Sequence, residues 1–486
     1  MDPGTVRTLF CLPYAGGGAG AYTGLLRALS AVPGLPGLTV VPVQLPGREN
    51  RIAEPPAFTI AEVADEVAPA THEPYALYGH SMGARLAFEV VRELRRRGLR
   101  GPSRLYVGGA HPPDRRVPLA AAVDLPDDAF IDQLIRRSGA LPELKHLPEL
   151  RELMMPVLRS DFTWIKNYSF VPEPAIDCPV VAFTGLDDGE VGATDMLGWA
   201  RHTTAGFRLR TLRGGHLFVK DRPAELASLI AADLTTEPAG PASNVHALPE
   251  PDEIHLWLGQ AAGHAEVLRR YAGRAATGLS HADGLTLVGA VDGAGIGVSL
   301  LRTLDGGGPD NVPDQACAGQ ANPYQVSAGQ TSPNQANASQ ANASQMTAGQ
   351  MSPYQVSADK VSGDKVSGDK VSGDELSEDE REQIEDAAEE DRGWLALRAV
   401  TAKRALMAAD GRGADPTRVG FPDLADPGPW RAQSDPGCDP GLDRLARWQV
   451  VHLPLHTSRG EALGAVAVSH DRVRLRFDMP AAEQAG

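Results

Sequence analysis

The sequence is poor in the residues that mark several common protein classes. Among 486 residues there are four cysteines, Cys11, Cys178, Cys317 and Cys438. They stand far apart with no C-x-x-C pair, so they indicate neither a zinc site nor a disulfide framework, and a reducing cytoplasm fits. Long apolar runs are missing as well. The opening MDPGTVRTLFCLPYAGGG holds one short apolar stretch before its glycines, far below the ~20 residues of a membrane span or the core of a secretory signal. Basic residues are outnumbered, 46 Lys+Arg against 62 Asp+Glu, for a formal net charge of -16. That balance argues against nucleic acid as the main ligand, because phosphate binding needs clustered Lys and Arg. The length exceeds one ordinary domain of about 100–200 residues and implies two or three units, or two units and a long connection.

Composition divides the chain. From Asp305 to about Glu380 it consists largely of Gly, Ser, Ala, Gln, Asn and Asp, with Tyr324 and Tyr354 as the aromatics. Such a stretch buries too little apolar area to offset chain entropy and is expected to be disordered. Four pentamers, VSADK, VSGDK, VSGDK and VSGDE, run from Val356 to Glu375; a polar period this short marks an expanded linker and not a solenoid. Asp374–Asp391 carries eleven acids and one base, Arg381, and reads as a solvated run that becomes the start of an exposed helix. Residues 1–240 are nearly balanced, with 25 bases and 28 acids, so the acidity belongs mainly to that run. The expected organisation is a domain over 1–234, a Pro-rich joint over 235–251, a second domain split between 252–304 and 382–486, and a low-complexity insertion over 305–381.

In the first segment, strand-like Arg7–Pro13, a glycine turn, a helix over Gly20–Ser30 and a strand over Leu38–Val43 follow one another. Strands alternating with helices imply an α/β fold with a mainly parallel sheet. The decisive stretch is YALYGHSMG, Tyr75–Gly83, followed by ARLAFEVVRELRRRG. An apolar strand runs directly into G-x-S-x-G and then a helix, with Ser81 at the apex. A strained turn there projects the hydroxyl above the sheet edge, the glycines allow close backbone approach, and the helix N-terminus aims amides at a developing oxyanion.

A serine nucleophile needs a base and an orienting acid, in the order Ser, Asp, His for this architecture. Strand-like CPVVAFT ends in GLDDGEV, offering Asp187 and Asp188, and RLRTL ends in RGGHLF with His216. Taken singly these are ordinary turn, cap or loop residues; three placements in the required order point to catalysis. The glycine turn PYAGGGAGAY lacks the Lys-Ser/Thr of a P-loop and the spacing of a dinucleotide fingerprint. In a hydrolase this position supplies an oxyanion amide, assigned to Ala15, with Met82 supplying the other.

These residues resemble a family. Through CLPYAGGGAGAY, VPVQLPGRENR, YALYGHSMGARLAFEV, DLPDDAFIDQL, LMMPVLRSDFTWIKNY, FTGLDDGEV, LGWARHT and LRGGHLF, Met1 to about Leu234 is similar to the type II, editing thioesterases that accompany polyketide synthases and nonribosomal peptide synthetases. The resemblance implies an α/β-hydrolase fold with a helical lid between Asp124 and Trp164, Ser81 as nucleophile, Asp188 as acid and His216 as base. It also implies hydrolysis of acyl thioesters on the phosphopantetheine arm of acyl or peptidyl carrier proteins, with no metal or dissociable cofactor. Trp199, His202 and Thr203 match the family's W-x-x-H-T and are read as packing; Met154 and Met155 are read as lid core. Tyr14 departs from the family's usual His. The cluster Arg92, Arg95, Arg96, Arg97 and Arg100 invites docking of an acidic carrier protein, but cations suited to a helix C-terminus explain it more simply.

EIHLWL, GLSHADGLTLVGAVDGAGIGVSLL, WLALRAVTAKRALMAADGRG and ALGAVAVSHDRVRLRF resemble, in order, parts of the Sfp-type 4'-phosphopantetheinyl transferases, an α+β family that uses Mg²⁺. The family's G-V-D-x-E is here Gly297, Val298, Ser299, Leu300, Leu301, and its W-x-x-K-E-A ends in Lys403, Arg404, Ala405. The carboxylates are gone, so this half is expected to be degenerate and without transferase activity, although Ser280 and His281 of the coenzyme-contacting pair remain. Two rival functions share these features: a protein that binds carrier proteins or coenzyme A with hydrolysis secondary, and an esterase or acyltransferase acting on free acyl-CoA.

Overall fold

The computed structural model describes residues 6–235 except 34, 36 and 140, and residues 253–302 except 261–266, 269–270, 272–274, 283 and 293–294. It also describes residues 373–479 except 412–414, 427–429, 435–444, 458–459, 470–473. The expected joint apart from Thr235, and almost all of the expected low-complexity insertion, lie outside the described residues.

Six parallel strands form the first half: β1 (Thr8–Leu12), β2 (Thr39–Pro42), β3 (Tyr75–His80), β4 (Arg104–Gly108), β5 (Val180–Gly185) and β6 (Phe207–Leu212), in the order β2-β1-β3-β4-β5-β6. Both faces are covered, which is why strands such as TLFCL and VVAFTG are mostly apolar and do not alternate. On one face α1 (Thr23–Ser30) meets the later helix Pro223–Leu234 over Leu25, Leu29, Leu226 and Ile230. On the other, α2 (Ile60–Val67) and α3 (Met82–Arg96) bury Val63, Val67, Leu86, Val90 and Leu94. Thr59 caps α2 reciprocally: its hydroxyl accepts from Glu62 N–H while Glu62 accepts from Thr59 N–H. Cys11 and Cys178 are buried thiols, and burial pushes Cys178 up to about 12, so neither is a nucleophile at neutral pH.

Two helices, α4 (Asp127–Ser138) and α5 (Pro148–Asn167), stand between β4 and β5 where the lid is expected. Phe130, Leu134, Met155, Leu158 and Phe162 bury their side chains between them and the body. After β5 come α6 (Ala193–Leu197), α7 (Phe218–Asp221) and α8 (Pro223–Leu234).

The second half continues the same sheet. β7 (Glu253–Gln260), β8 (Ala276–Ala282), β9 (Leu285–Val291) and the last strand of the chain bring the order to ten strands. β10 (Ile296–Arg302) opens a second sheet. β11 (Val419–Gly420), β12 (Trp430–Arg431), β13 (Gln433–Ser434), β14 (Gln449–Thr457) and β15 (Gly460–Val468) follow. β16 (Arg474–Met479) pairs antiparallel with β6, Phe477 opposite Leu209, and parallel with β7. Asp478 receives Arg210 at 2.6 Å across that seam. A strand edge offers unpaired N–H and C=O groups and takes up a further strand readily.

The described residues resume at Gly373, inside the stretch expected to be disordered, and the acidic run is only partly solvated. Leu376 enters an apolar cluster, and α9 (Glu378–Asp386) starts at a Ser377–Glu380 capping box. Glu380 is wholly buried and pairs with Lys403 of α10 (Glu389–Asp410) at 2.5 Å. The correction has a local cause: the polar composition that disfavours a core also supplies a helix cap and a partner for a buried lysine. Among the described residues no helix is long and apolar enough to cross a membrane.

Candidate active site

Ser81 sits between the buried strand β3 and helix α3 with φ 52 and ψ -115. A β-carbon on Gly79 would stand 2.0 Å from Gly83 O, and one on Gly83 would stand 2.1 Å from Leu12 O. Both neighbours are backbone and cannot yield, so the two glycines are steric requirements of the turn. The strained φ is held from both sides: Ser81 N–H donates to Gly108 O at the end of β4 at 2.7 Å, and Ala84 N–H to Ser81 O at 3.1 Å.

The Ser81 hydroxyl lies 3.1 Å from His216 Nε2, and His216 Nδ1 lies 2.9 Å from Asp188 Oδ2. The other Asp188 oxygen accepts from the amides of Glu190 at 2.8 Å and Val191 at 3.0 Å. Burial alone would raise this carboxyl; the His216 charge and hydrogen bond and the two amides outweigh it and hold it below the usual carboxylate range. Burial likewise opposes the His216 imidazolium, but the Asp188 charge and hydrogen bond, with Glu190 behind them, raise it above its ordinary value. Asp187, the alternative acid, is half-buried and gives its amide to Gly214 O at 2.8 Å.

The amides of Ala15 and Met82 make no hydrogen bond among the described residues. The hydroxyl opens on a cleft walled by Met82, Ala110, Val117, Ile165 and Val191, with Arg85, His111 and Glu190 also lining it. Ile165 comes from the lid helix α5, and Glu190 is tied to α4 through Arg137 at 2.6 Å.

Three contributors escape sequence reasoning. His80, inside the G-x-S-x-G itself, donates from Nε2 to the His216 carbonyl at 2.8 Å and accepts at Nδ1 from Tyr78 O–H at 3.1 Å. Burial pushes it down to about 3, so it is a neutral bracket for the His216 loop. Arg48 and Asp161 form a buried bidentate pair, 2.8 Å for each contact. Both stand inside the family-like stretches LPGREN and RSDFTW, but no periodicity joins residues so far apart.

Other candidates lie elsewhere. Trp199 donates to Ala110 O at 2.7 Å, His202 meets Asp114 at 2.9 Å, and Thr203 donates to Cys178 O at 2.7 Å, which are packing roles. Of the arginine cluster, Arg92 and Arg95 bind Glu173, and Arg97 binds Glu93 and Asp65. Tyr14 stacks edge-on against His80 at 5.9 Å. In the second half, Ser299 and Leu301 are 3% exposed where the resembled family has carboxylates. Arg404 is held by Glu375 at 2.6 Å, and Ser280 accepts from Leu300 N–H at 3.0 Å.

The profile of the thioesterase domain matches residues 7–234. "Linear gramicidin dehydrogenase LgrE" of Brevibacillus parabrevis is 34% identical over 46% of this chain and 87% of its own length. The chain belongs to the thioesterase family. "Thioesterase PikA5" of Streptomyces venezuelae is 34% identical over 50% of this thioesterase and 86% of its own length. The solved "RedJ-Thioesterase from the Prodiginine biosynthetic pathway in Streptomyces coelicolor" is 36% identical, covers 48% of this chain and 87% of its own, and superposes with a TM-score of 0.42. By the domain match and the curated relatives, the thioesterase is a hydrolase acting on thioester bonds, and residues 7–234 are its α/β-hydrolase half.

Proposed function

We propose that this thioesterase releases acyl groups from the phosphopantetheine arm of carrier proteins in polyketide or nonribosomal peptide assembly, with Ser81 as nucleophile, His216 as base and Asp188 as the acid that orients it. The observation that carries the reading is the unbroken chain Ser81 Oγ, His216, Asp188 at the cleft floor. Ser81 Oγ attacks the thioester carbonyl as its proton passes to His216 Nε2. The oxyanion is received by the amides of Ala15 and Met82. As the tetrahedral adduct collapses, the thiolate takes the proton from His216 and an acyl-serine remains. Water, deprotonated by His216, attacks that ester; the second adduct collapses, His216 returns the proton to the departing Ser81 Oγ, and the carboxylic acid is freed. Asp188, fully charged, keeps the Nδ1 proton in place and stabilises the imidazolium.

The relative named for linear gramicidin supports the choice of assembly-line substrates. The second half is read as a degenerate transferase-like module with no chemistry of its own, because the positions at which a cation would need carboxylates hold Ser299 and Leu301. Acetyl-loaded carrier protein tests the whole reading. Acyl release that Ser81→Ala abolishes is expected; tight carrier binding without turnover, or turnover confined to free acyl-CoA, would favour the rival functions.

A further inference from the structure

We infer that the buried Arg48–Asp161 pair is a positioning device that holds the glycine turn after β1 in its working shape and makes that shape depend on the lid helix α5 being docked. The inference rests on the proposed role of the Ala15 amide as an oxyanion donor. Tyr14–Gly17 is a tight turn, closed by Gly17 N–H donating to Tyr14 O at 2.8 Å, with Gly16 at φ +79. The soft motion of such a turn is rotation of its central peptide, which exchanges turn types and re-aims the amides beside it. Here that peptide is clamped. Asp161 Oδ2 accepts from Gly16 N–H at 2.7 Å and from Arg48 Nη1 at 2.8 Å, and the same Nη1 donates to Gly17 O at 3.0 Å. The ion pair therefore grips both ends of the Gly16–Gly17 unit, next to Ala15.

The carboxylate comes from the lid. Asp161 lies on α5, one turn before Ile165 of the cleft wall, and its side chain is wholly buried while that of Arg48 is 5% exposed. From the same helix Leu158 comes so close that a β-carbon on Gly16 would stand 2.7 Å from its Cδ2. If α5 swings away, Gly16 N–H loses its acceptor and Arg48 its counter-charge, and the turn is released. The donor is then in register only when the lid covers the acyl group. Two apolar side chains would keep the packing and remove the two desolvated charges, leaving only the Gly16 amide and the Gly17 carbonyl without these partners. They would not hold the Gly16 amide.

That difference supplies the test. Purified full-length protein is assayed on butyryl-pantetheine thioester as Asp161→Asn and as the double variant Arg48→Met with Asp161→Leu, with melting temperatures recorded. Displacing or misaiming one oxyanion donor is expected to lower kcat by about 10- to 100-fold while KM stays nearly constant. The double variant should regain thermal stability without regaining kcat, and a boronate that closes on Ser81 should weaken in parallel with kcat. Recovery of kcat together with stability, or an unchanged kcat in both variants, overturns the inference and leaves the pair as packing. Wild-type turnover with a Ser81→Ala blank judges the underlying reading separately: an inert wild type sinks both, whereas an active wild type with unaffected variants sinks only the clamp.

Discussion

Exchanging Asp188 for asparagine removes one charge and tests the arrangement at its most buried point. The shape is preserved, but the hydrogen-bond pattern decides which way the new amide faces. One oxygen of Asp188 accepts from two main-chain amides, of Glu190 and Val191. An NH₂ group there would face two donors, so the asparagine must keep its carbonyl oxygen on them and turn its NH₂ toward His216 Nδ1. That nitrogen becomes an acceptor, the ring proton moves to Nε2, and Nε2 can no longer take the proton of Ser81. Fixing the wrong tautomer costs about 10⁴ in kcat, equivalent to about 5.5 kcal/mol of transition-state stabilisation. Thiol release from an acyl-pantetheine thioester measures it, with the melting temperature as a control for folding. Asp187→Asn, which leaves the bond from its main-chain amide to Gly214 O untouched, should change the rate by no more than about twofold. A folded Asp188→Asn protein that keeps a tenth of the wild-type rate, or a large loss confined to Asp187→Asn, would refute the reasoning.

Two further outcomes follow from the charges. Because the neutral form of His216 is the base and its pKa is raised above 6.5, kcat/KM should climb with pH along a limb centred above 6.5, while His80, pushed down to about 3, adds no limb near neutrality; a limb centred below 6 contradicts this. Asp478, held at about 2 first against burial by Arg210 and then by Arg476 and Arg208, stabilises the seam between the halves at neutral pH. Its contribution is present above the unfolded value of about 4 and is lost as pH falls toward about 2. Asp478→Asn should therefore cost about 3 kcal/mol at pH 7 and flatten the acid side of the stability curve in urea unfolding, whereas an unaltered curve means that β16 does not hold β6 in solution.

What could be read in the sequence was local. The elbow at Ser81 is legible in its own pentapeptide, where Gly79 is excluded from carrying a side chain by backbone atoms of the turn, while the atom that excludes one at Gly83 belongs to the distant β1. The order of Ser81, the GLDD turn and His216 along alternating strands likewise restricts the chemistry, because parallel strands bring their carboxyl ends to one edge. The lid could be placed from the family resemblance, with helical spacing between Asp124 and Trp164 in support. The acidic run was legible as charge but not as structure, because nothing in its composition shows that Glu380 will be carried inside against Lys403.

Tertiary structure decided everything that depends on two distant segments meeting. Asp188 and Asp187 are neighbours in the chain with the same chemistry, and the paths of the β5–α6 and β6–α7 connections together set which of them faces His216. Arg48 and Asp161 acquire meaning when the lid packs on the glycine turn and buries opposite charges against each other. β16 is an ordinary alternating strand in the sequence, and its place beside β6 follows from non-local pairing, for which the chain carries no short-range code. The sequence by itself determined which backbone could form the elbow and which side chains could do chemistry. Which of those side chains meet, and what holds them in register, was settled by packing.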